Sequence, residues 1–184
     1  MTGNRKIDMV ILGLLSHEPM TGYDIKKQID GTIRFFWKGS FGNIYPALAA
    51  MEKSGFVTKQ EANTGGRTRI EYGITEDGKA YLQDWLCTRG AVNELKYETI
   101  MKLYFGGAAG SENSIRVIEE FEGKIEEDLA LLRLYEDNLS KLLEVEDHVY
   151  YYLTVQFGIE TYEGYLRWCR KAKNILEEML DKKK

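Results

Sequence analysis

One β-hairpin pattern, between residues 57 and 74, most constrains the fold, because apolar residues elsewhere in the chain recur at helical spacing. Two strand-like runs, 57–62 and 67–74, flank a turn that contains Gly65 and Gly66. Side chains alternate along a strand. The second run therefore has two faces, one with Arg67, Arg69 and Glu71 and the other with Thr68, Ile70, Tyr72 and Ile74.

Two helices are predicted at the start of the chain. Residues 7–15 are densely apolar and are expected to form a mostly buried helix, which Pro19 prevents from continuing. Thr21 followed three residues later by Asp24 is a variant of the capping box. A second helix is therefore predicted from Thr21 to about Ile33.

A third helix is predicted from about Asn43 to Ser54. Proline is tolerated only in the first turn of a helix, so Pro46 makes Asn43 the expected N-cap. Gly55 is a suitable C-terminal stop.

A fourth helix, capped by Thr75 and running to about Cys87, follows the hairpin. The order helix-helix-helix-hairpin-helix within about 90 residues is that of a winged helix. We therefore predict a mainly α protein with a small β-hairpin, in which residues 1–90 form a winged helix-turn-helix DNA-binding domain.

The second half of the chain has an almost entirely helical pattern. Segments 93–105, 111–144 and 147–181 are predicted to be helices. The two long ones cannot bury their apolar stripes on a small winged helix alone, so they are expected to pack on each other and on a second subunit. Residues 91–184 are therefore predicted to be a helical domain for dimerisation, with effector sensing as a possible second role.

Composition and motifs argue against several classes of protein. Hydrophobic residues make up 43% of the chain and charged residues 29%, which is typical of a globular protein. No apolar run approaches the roughly 18 residues of a membrane helix, and no secretory signal is visible, so a cytoplasmic protein is expected. The two cysteines and two histidines show no metal-ligand spacing, and nucleotide-binding glycine motifs are missing. We therefore predict no enzyme activity, no metal and no cofactor.

The net charge of −4 is unevenly distributed. Residues 1–90 carry 12 Lys and Arg against 10 Asp and Glu, whereas residues 91–184 carry 13 against 19. Because a DNA-binding surface needs only local positive potential, any DNA contact is expected in the first half.

The third predicted helix is the candidate reader of double-stranded DNA. Ile44, Ala47, Leu48 and Met51 share the face that is expected to pack on the first two helices. The opposite face carries Pro46, Ala49, Ala50 and Lys53, flanked by Asn43 and Tyr45. Small side chains let a helix backbone enter the major groove, which is about 12 Å wide. The alternative is an ordinary surface helix that happens to contain alanines.

The wing is the second candidate contact. Arg67 and Arg69 lie beside Gly65 and Gly66, from where a guanidinium can reach a phosphate or a narrow minor groove. A solvated arginine pair on a hairpin is the alternative explanation.

Several segments, in order, resemble the signature segments of PadR-like transcriptional regulators. They are Ile11-Leu12-Gly13-Leu14-Leu15, Thr21-Gly22-Tyr23-Asp24-Ile25, Ser40-Phe41-Gly42-Asn43-Ile44-Tyr45-Pro46-Ala47-Leu48, Glu52-Lys53-Ser54-Gly55-Phe56-Val57, Gly66-Arg67 and Tyr72-Gly73-Ile74-Thr75-Glu76-Asp77-Gly78. The resemblance is strong over about residues 7–87. Lys102-Leu103-Tyr104-Phe105-Gly106 and the chain length resemble the subgroup with a larger C-terminal helical domain.

The resemblance implies a homodimer, usually a repressor, whose recognition helices occupy successive major grooves of a roughly palindromic operator. Carried over by position, the DNA-binding residues would be Ser40, Asn43, Tyr45 and Lys53 at the recognition helix, Tyr23 in the preceding helix, and Arg67 and Arg69 in the wing. Ile70-Glu71 departs from the family, which often has further basic residues at this place, and of the two Glu71 carries the charge. It would repel phosphate if it faced the DNA backbone.

Two questions stay open at this level. The aromatic residues Tyr150, Tyr151, Tyr152, Phe157, Tyr162, Tyr165 and Trp168 fit a core or a dimer interface, and they also fit a pocket for an aromatic or amphipathic effector, to which several members of the family respond. The weakly charged first half also leaves room for a winged-helix adaptor that binds proteins or ligands but no DNA.

Overall fold

The computed structural model describes residues 6–37, 43–64, 67–91, 93 and 96–182, with the backbone alone described at 63, 64, 67, 68 and 146. The chain divides into two units, Met1–Val92 and Asn93–Lys184. The described part of the first unit contains α1 (Lys6–Leu15), β1 (Met20–Thr21), α2 (Gly22–Gly31), a 3-10 turn (Ile33–Phe35), α3 (Ile44–Lys53), β2 (Val57–Thr64), β3 (Arg67–Ile74) and α4 (Glu76–Cys87). The described part of the second contains α5 (Glu98–Tyr104), a 3-10 turn (Gly106–Ala108), α6 (Ser111–Ser140) and α7 (Glu146–Asp181).

The predicted capping box begins α2. The Thr21 hydroxyl accepts a hydrogen bond from the Asp24 backbone N–H at 3.1 Å, and the Asp24 carboxylate accepts one from the Thr21 N–H at 3.3 Å. These two bonds satisfy backbone donors that a helix start would otherwise leave unpaired. The helix ends at Gly31, earlier than predicted, and the chain continues into the 3-10 turn.

Both ends of α3 lie close to the predicted bounds. At the C-terminus, Gly55 has a φ of +77°, the Gly55 N–H bonds the Glu52 carbonyl, and the Phe56 N–H bonds the Met51 carbonyl. This is the glycine-terminated Schellman arrangement, which confirms Gly55 as the stop. At the N-terminus, Asn43 occupies the cap position, but among the described residues its side chain makes no capping hydrogen bond, because its backbone is already helical (φ −96°, ψ −4°). The predicted N-cap position of Asn43 is therefore confirmed, without the side-chain hydrogen bond that usually accompanies it.

The sheet has three antiparallel strands in the order β1-β3-β2, rather than the two of the predicted hairpin. β1 pairs Met20 with Tyr72 and Thr21 with Glu71. A strand of two residues is too short to show an alternation of apolar and polar side chains in the sequence, so β1 is recognised only by its pairing with β3. β2 also continues past Ala62 to Thr64.

The core of the first unit lies between the helices and one face of the sheet. Its buried side chains are Ile7, Met9, Ile11, Leu12, Leu15, Met20, Ile25, Ile29, Ile44, Ala47, Leu48, Met51 and Val57. The four α3 residues in this set are those that the helical wheel assigned to the packed face. Together with the sheet and helix order, this confirms the predicted fold class: a winged helix followed by a helical domain.

In the second unit α6 and α7 form an antiparallel pair. Glu122 of α6 is ion-paired with Lys173 of α7, and Arg133 with Glu163 at 3.0 Å, so residue numbers rise along one helix as they fall along the other. The two helices bury Ile118, Ile125, Leu129, Leu132, Val155, Ile159, Tyr162 and Cys169. Within the ranges described, none of the helices is both long and apolar enough to cross a bilayer.

Two predicted helices of the second unit are shorter in the structure. Residues 93, 96 and 97 are not helical, and α5 begins only at Glu98. Tyr97, at the N-cap position of α5, is extended (φ −113°, ψ 111°), and its ring packs against Phe121 and Tyr165. α6 ends at Ser140 instead of about residue 144. Glu146 and Asp147 are the first two residues of α7, where the helix dipole favours negative charge.

Gly78 provides a test of the first unit's packing. A β-carbon there would lie 2.2 Å from the backbone carbonyl oxygen of Phe56, which cannot move without the chain. We expect Gly78→Ala to lower the free energy of unfolding by about 3 kcal/mol, measured by urea denaturation. The matched control is Gly13→Ala in α1, where a β-carbon meets nothing within 4 Å. It should raise stability by about 0.5–1 kcal/mol. Equal effects of the two substitutions would contradict the packing at Gly78.

Candidate nucleic-acid interface

The exposed face of α3 is smooth and weakly polar. Opposite the buried residues lie Pro46, Ala49, Ala50 and Lys53, all exposed, and Tyr45 is 63% exposed. Because the side chains at the centre of this face are no larger than proline, the helix backbone can come close to a flat or grooved partner. Lys53 adds a positive charge in the last turn of the helix.

The N-terminal end of α3 carries two further candidate side chains. Asn43 is exposed, and within the described part of the chain its side chain makes no capping hydrogen bond. Tyr45 lies against the first turn of α2, where a β-carbon at Gly22 would come within 2.6 Å of Cε1 of the Tyr45 ring. Tyr23, the residue after Gly22, is 70% exposed. The Tyr45 ring therefore packs on the residue next to Tyr23, at the start of α2.

Gly22 is the residue of this site to which the sequence interpretation assigned no role. A signal was present, because glycine has low helix propensity and yet Gly22 directly follows the Thr21 cap. What the sequence does not disclose is which side chain occupies the space above it.

Strand pairing fixes the faces of the wing. Arg69 is exposed and lies opposite Ala62, while Glu71 is half-buried and lies between Gln60 of β2 and Thr21 of β1. Directly paired residues and every second residue share a face, so Arg69 and Glu71 lie on the same side. Arg69 is nearer to the tip and Glu71 nearer to the body of the unit.

Two of the predicted contacts are not fully described. Arg67 begins β3 and pairs with Thr64, but its side chain lies outside the described part of the chain. Ser40 lies outside the described residues altogether.

The aromatic residues of α7 divide into two groups. Tyr162, Tyr165 and Trp168 are buried or half-buried and form a cluster with Tyr97 and Phe121, with ring centroids 5.6–6.4 Å apart. The hydroxyls of Tyr97 and Tyr165 share a hydrogen bond. The pKa of Tyr97 is raised, mainly by burial and to a smaller extent by this hydrogen bond. This group behaves as a packed core.

Nearer the start of α7 the rings are mostly exposed, except that of Tyr152, which is half-buried and whose hydroxyl accepts a hydrogen bond from the Gln156 amide at 3.0 Å. Tyr150 is 64% exposed and Phe157 65% exposed. Leu134 of α6 and Leu153 of α7 are likewise exposed. Large apolar side chains exposed in such numbers on two long helices are typical of a surface that is covered by a partner.

Two family models match the chain in succession. Residues 11–84 match the model described as Transcriptional regulator PadR-like family. Residues 95–177 match the model described as Virulence activator alpha C-term.

Similar proteins cover nearly the whole chain. The negative transcriptional regulator PadR of Bacillus subtilis is 26% identical over 185 residues, which span 95% of this chain and 99% of that relative. The crystal structure of Bacillus subtilis PadR in complex with operator DNA is 25% identical with a TM-score of 0.82, covering 94% of this chain and 98% of the other. The structure of Bacillus subtilis PadR in complex with p-coumaric acid is 24% identical with a TM-score of 0.71 and shares the fold, covering 94% and 99%.

These matches agree with the order of elements and with the long paired helices of the second unit. The chain belongs to the PadR-like family of transcriptional regulators, in the subgroup with a larger C-terminal helical domain.

Proposed function

We propose that this DNA-binding transcriptional regulator is a homodimeric repressor that binds a roughly palindromic operator and is released by a small aromatic or amphipathic effector. Family membership makes the chain a transcriptional regulator and not an enzyme. The observation that carries the proposed mode of DNA contact is the division of α3 into a buried apolar face and an exposed face of small and polar residues.

In this proposal α3 enters the major groove. Asn43, Tyr45 and Lys53 are the side chains that would reach base edges or phosphates, with Ser40 just before the helix. Tyr23 would contact the DNA backbone from the first turn of α2. The exposure of Tyr23 and Tyr45, and the packing of the Tyr45 ring on Gly22 beside Tyr23, support this arrangement.

The wing would make the second contact, through Arg67 and Arg69. The exposure of Arg69 at a part of the hairpin beyond β1 supports its reaching a phosphate or the minor groove. An arginine that contacts phosphate contributes affinity without reading sequence, whereas a side chain at the recognition helix can do both.

Dimerisation is assigned to residues 91–184. The support is the set of exposed apolar side chains on α6 and α7, which a second copy would remove from water. A two-fold axis between the copies would present two α3 helices to half-sites about one helical turn, or roughly 34 Å, apart.

The effector is proposed to act through this same domain. The complex of Bacillus subtilis PadR with p-coumaric acid supports an aromatic ligand for a relative of the same fold. An effector would lower DNA affinity here only if it binds the DNA-free arrangement more tightly than the DNA-bound one.

The cytoplasm is the proposed location of the protein, because a regulator of transcription acts where its operator DNA is.

The proposal as a whole is tested by selecting genomic DNA fragments that bind the purified chain at low salt. We expect enrichment of a sequence with two-fold symmetry and sedimentation of the free protein at twice the chain mass. Affinity should fall by about a thousandfold or more between roughly 50 and 200 mM salt, because several phosphates are neutralised. Binding without sequence preference, or none, would favour the adaptor alternative.

The division of labour between wing and helix is tested by two substitutions. Arg69→Ala should weaken binding to the selected operator and to unrelated DNA alike, and should lower the salt dependence, because one phosphate contact is lost. Asn43→Ala should instead change the preferred sequence, which is measured by repeating the selection. Lys59→Ala is the control for the wing, since Lys59 pairs with Tyr72 and therefore lies on the opposite face from Arg69. Identical behaviour of the Arg69 and Asn43 variants would contradict the assignment.

Glu71 gives a prediction in the opposite direction. Glu71 shares the Arg69 face of the wing, so in the proposed complex its carboxylate would face the DNA and repel the phosphates. We expect Glu71→Gln to tighten DNA binding by about threefold to tenfold at low salt, with a smaller gain at high salt because charges are then screened. Glu61→Gln, on the other face of the wing, is the matched control and should leave affinity unchanged. An unchanged affinity for Glu71→Gln would place Glu71 away from the DNA.

A further inference from the structure

The glycine that begins α2 is not required by backbone conformation. Among the described glycines, a left-handed backbone occurs at Gly55, Gly90 and Gly110, and Gly22 is not one of them. Glycine is a poorer helix former than alanine. Gly22 is buried, although it directly follows the cap of a surface helix. Its lack of a side chain therefore has a steric cause.

That cause is the ring of Tyr45. A β-carbon at Gly22 would lie 2.6 Å from Cε1, 3.0 Å from Cζ and 3.2 Å from the hydroxyl oxygen of Tyr45. All three nearest atoms belong to one side chain, from a different helix. The hydroxyl-bearing edge of the ring thus occupies the space in which any other residue at position 22 would place its side chain.

The rest of the Tyr45 side chain is open to solvent. It is 63% exposed, so one edge of the ring rests on α2 while most of its surface is free. Tyr45 is the second residue of α3, and Tyr23, which is 70% exposed, is the second residue of α2. The contact at Gly22 therefore joins the first turns of the two helices that carry the candidate DNA contacts.

We infer that Gly22 is a positioning residue of the DNA-binding surface. By leaving space for the Tyr45 ring, it fixes the tyrosine hydroxyl beside the first turn of α2, so that Tyr45 and Tyr23 form one contact surface. This inference rests on the proposed role of α3 as the recognition helix. It assigns to Gly22 an effect on DNA binding that acts through Tyr45 and not through a contact of its own.

The consequence of a substitution differs here from that at Gly78. At Gly22 the conflicting atoms are the outer end of a flexible side chain, whereas at Gly78 the nearest atom is a backbone oxygen. Alanine is also the better helix former. Gly22→Ala should therefore keep the fold and its thermal midpoint while it displaces the Tyr45 ring.

The experiment compares Gly22→Ala with Gly31→Ala, the same change at the other end of α2, where a β-carbon meets nothing within 4 Å. Affinity for the selected operator should fall about tenfold for Gly22→Ala and stay unchanged for Gly31→Ala. A double-mutant cycle then isolates the cause. Tyr45→Ala should weaken binding by itself, and adding Gly22→Ala to it should cause no further loss. Additive losses would overturn the inference, because Gly22 would then act independently of Tyr45.

A second measurement needs no DNA. In protein labelled with 3-fluorotyrosine, the fluorine resonance of Tyr45 is identified by its disappearance in Tyr45→Phe. It should move in Gly22→Ala and stay in place in Gly31→Ala. If the wild-type chain binds its operator and Gly22→Ala binds equally well, or if the resonance does not move, the positioning role is wrong while the proposed function stands. If the wild-type chain shows no sequence preference at all, the proposed function fails and the role of Gly22 fails with it.

Discussion

Burial of one face of α3 is the constraint on which the rest of the candidate interface depends. Ile44, Ala47, Leu48 and Met51 are 0–3% exposed and belong to the core. Burying each large apolar side chain contributes about 1.5–3 kcal/mol, so rotating the helix about its axis would carry a heavy cost. The rotation of α3 is thereby fixed, and with it the side chains that face outwards. The exposed face of α3, which carries the candidate DNA contacts, is the part of the helix surface that remains outside once the apolar face is buried.

The segment from Met20 to Gly22 connects the other parts of this surface. Thr21 caps α2 through its hydroxyl and, one residue before the helix, pairs with Glu71 of the wing. The ring of Tyr45 in α3 packs on Gly22. Three consecutive residues thus tie together α2, α3 and the central strand of the sheet. A change in this segment would move contacts that lie far apart along the sequence.

The second unit is organised by the pairing of α6 and α7. Its aromatic residues divide between a packed cluster around Tyr165 and exposed rings such as Phe157. The ion pair of Glu122 and Lys173 lies beside the buried Cys169, and the hydrogen bond to Glu122 raises the pKa of Lys173. A charged pair in a half-buried position tolerates fewer registers of the two helices than apolar contacts alone, because a shift would leave a charge without its partner.

The sequence alone determined the features that depend on neighbouring residues. The capping box of Thr21 and Asp24, the stop at Gly55 and the buried face of α3 all arise from interactions within a few positions, and each was predicted. The tertiary structure decided the features that need residues distant in sequence. β1 exists only through its pairing with β3, some fifty residues later, and the Tyr97 ring finds its partners on α6 and α7. Gly22 belongs to this second class, because the steric conflict that a side chain there would meet becomes visible only when α3 brings the Tyr45 ring against it. Local backbone preferences act over one or two turns, whereas steric exclusion acts between whatever surfaces the fold brings into contact.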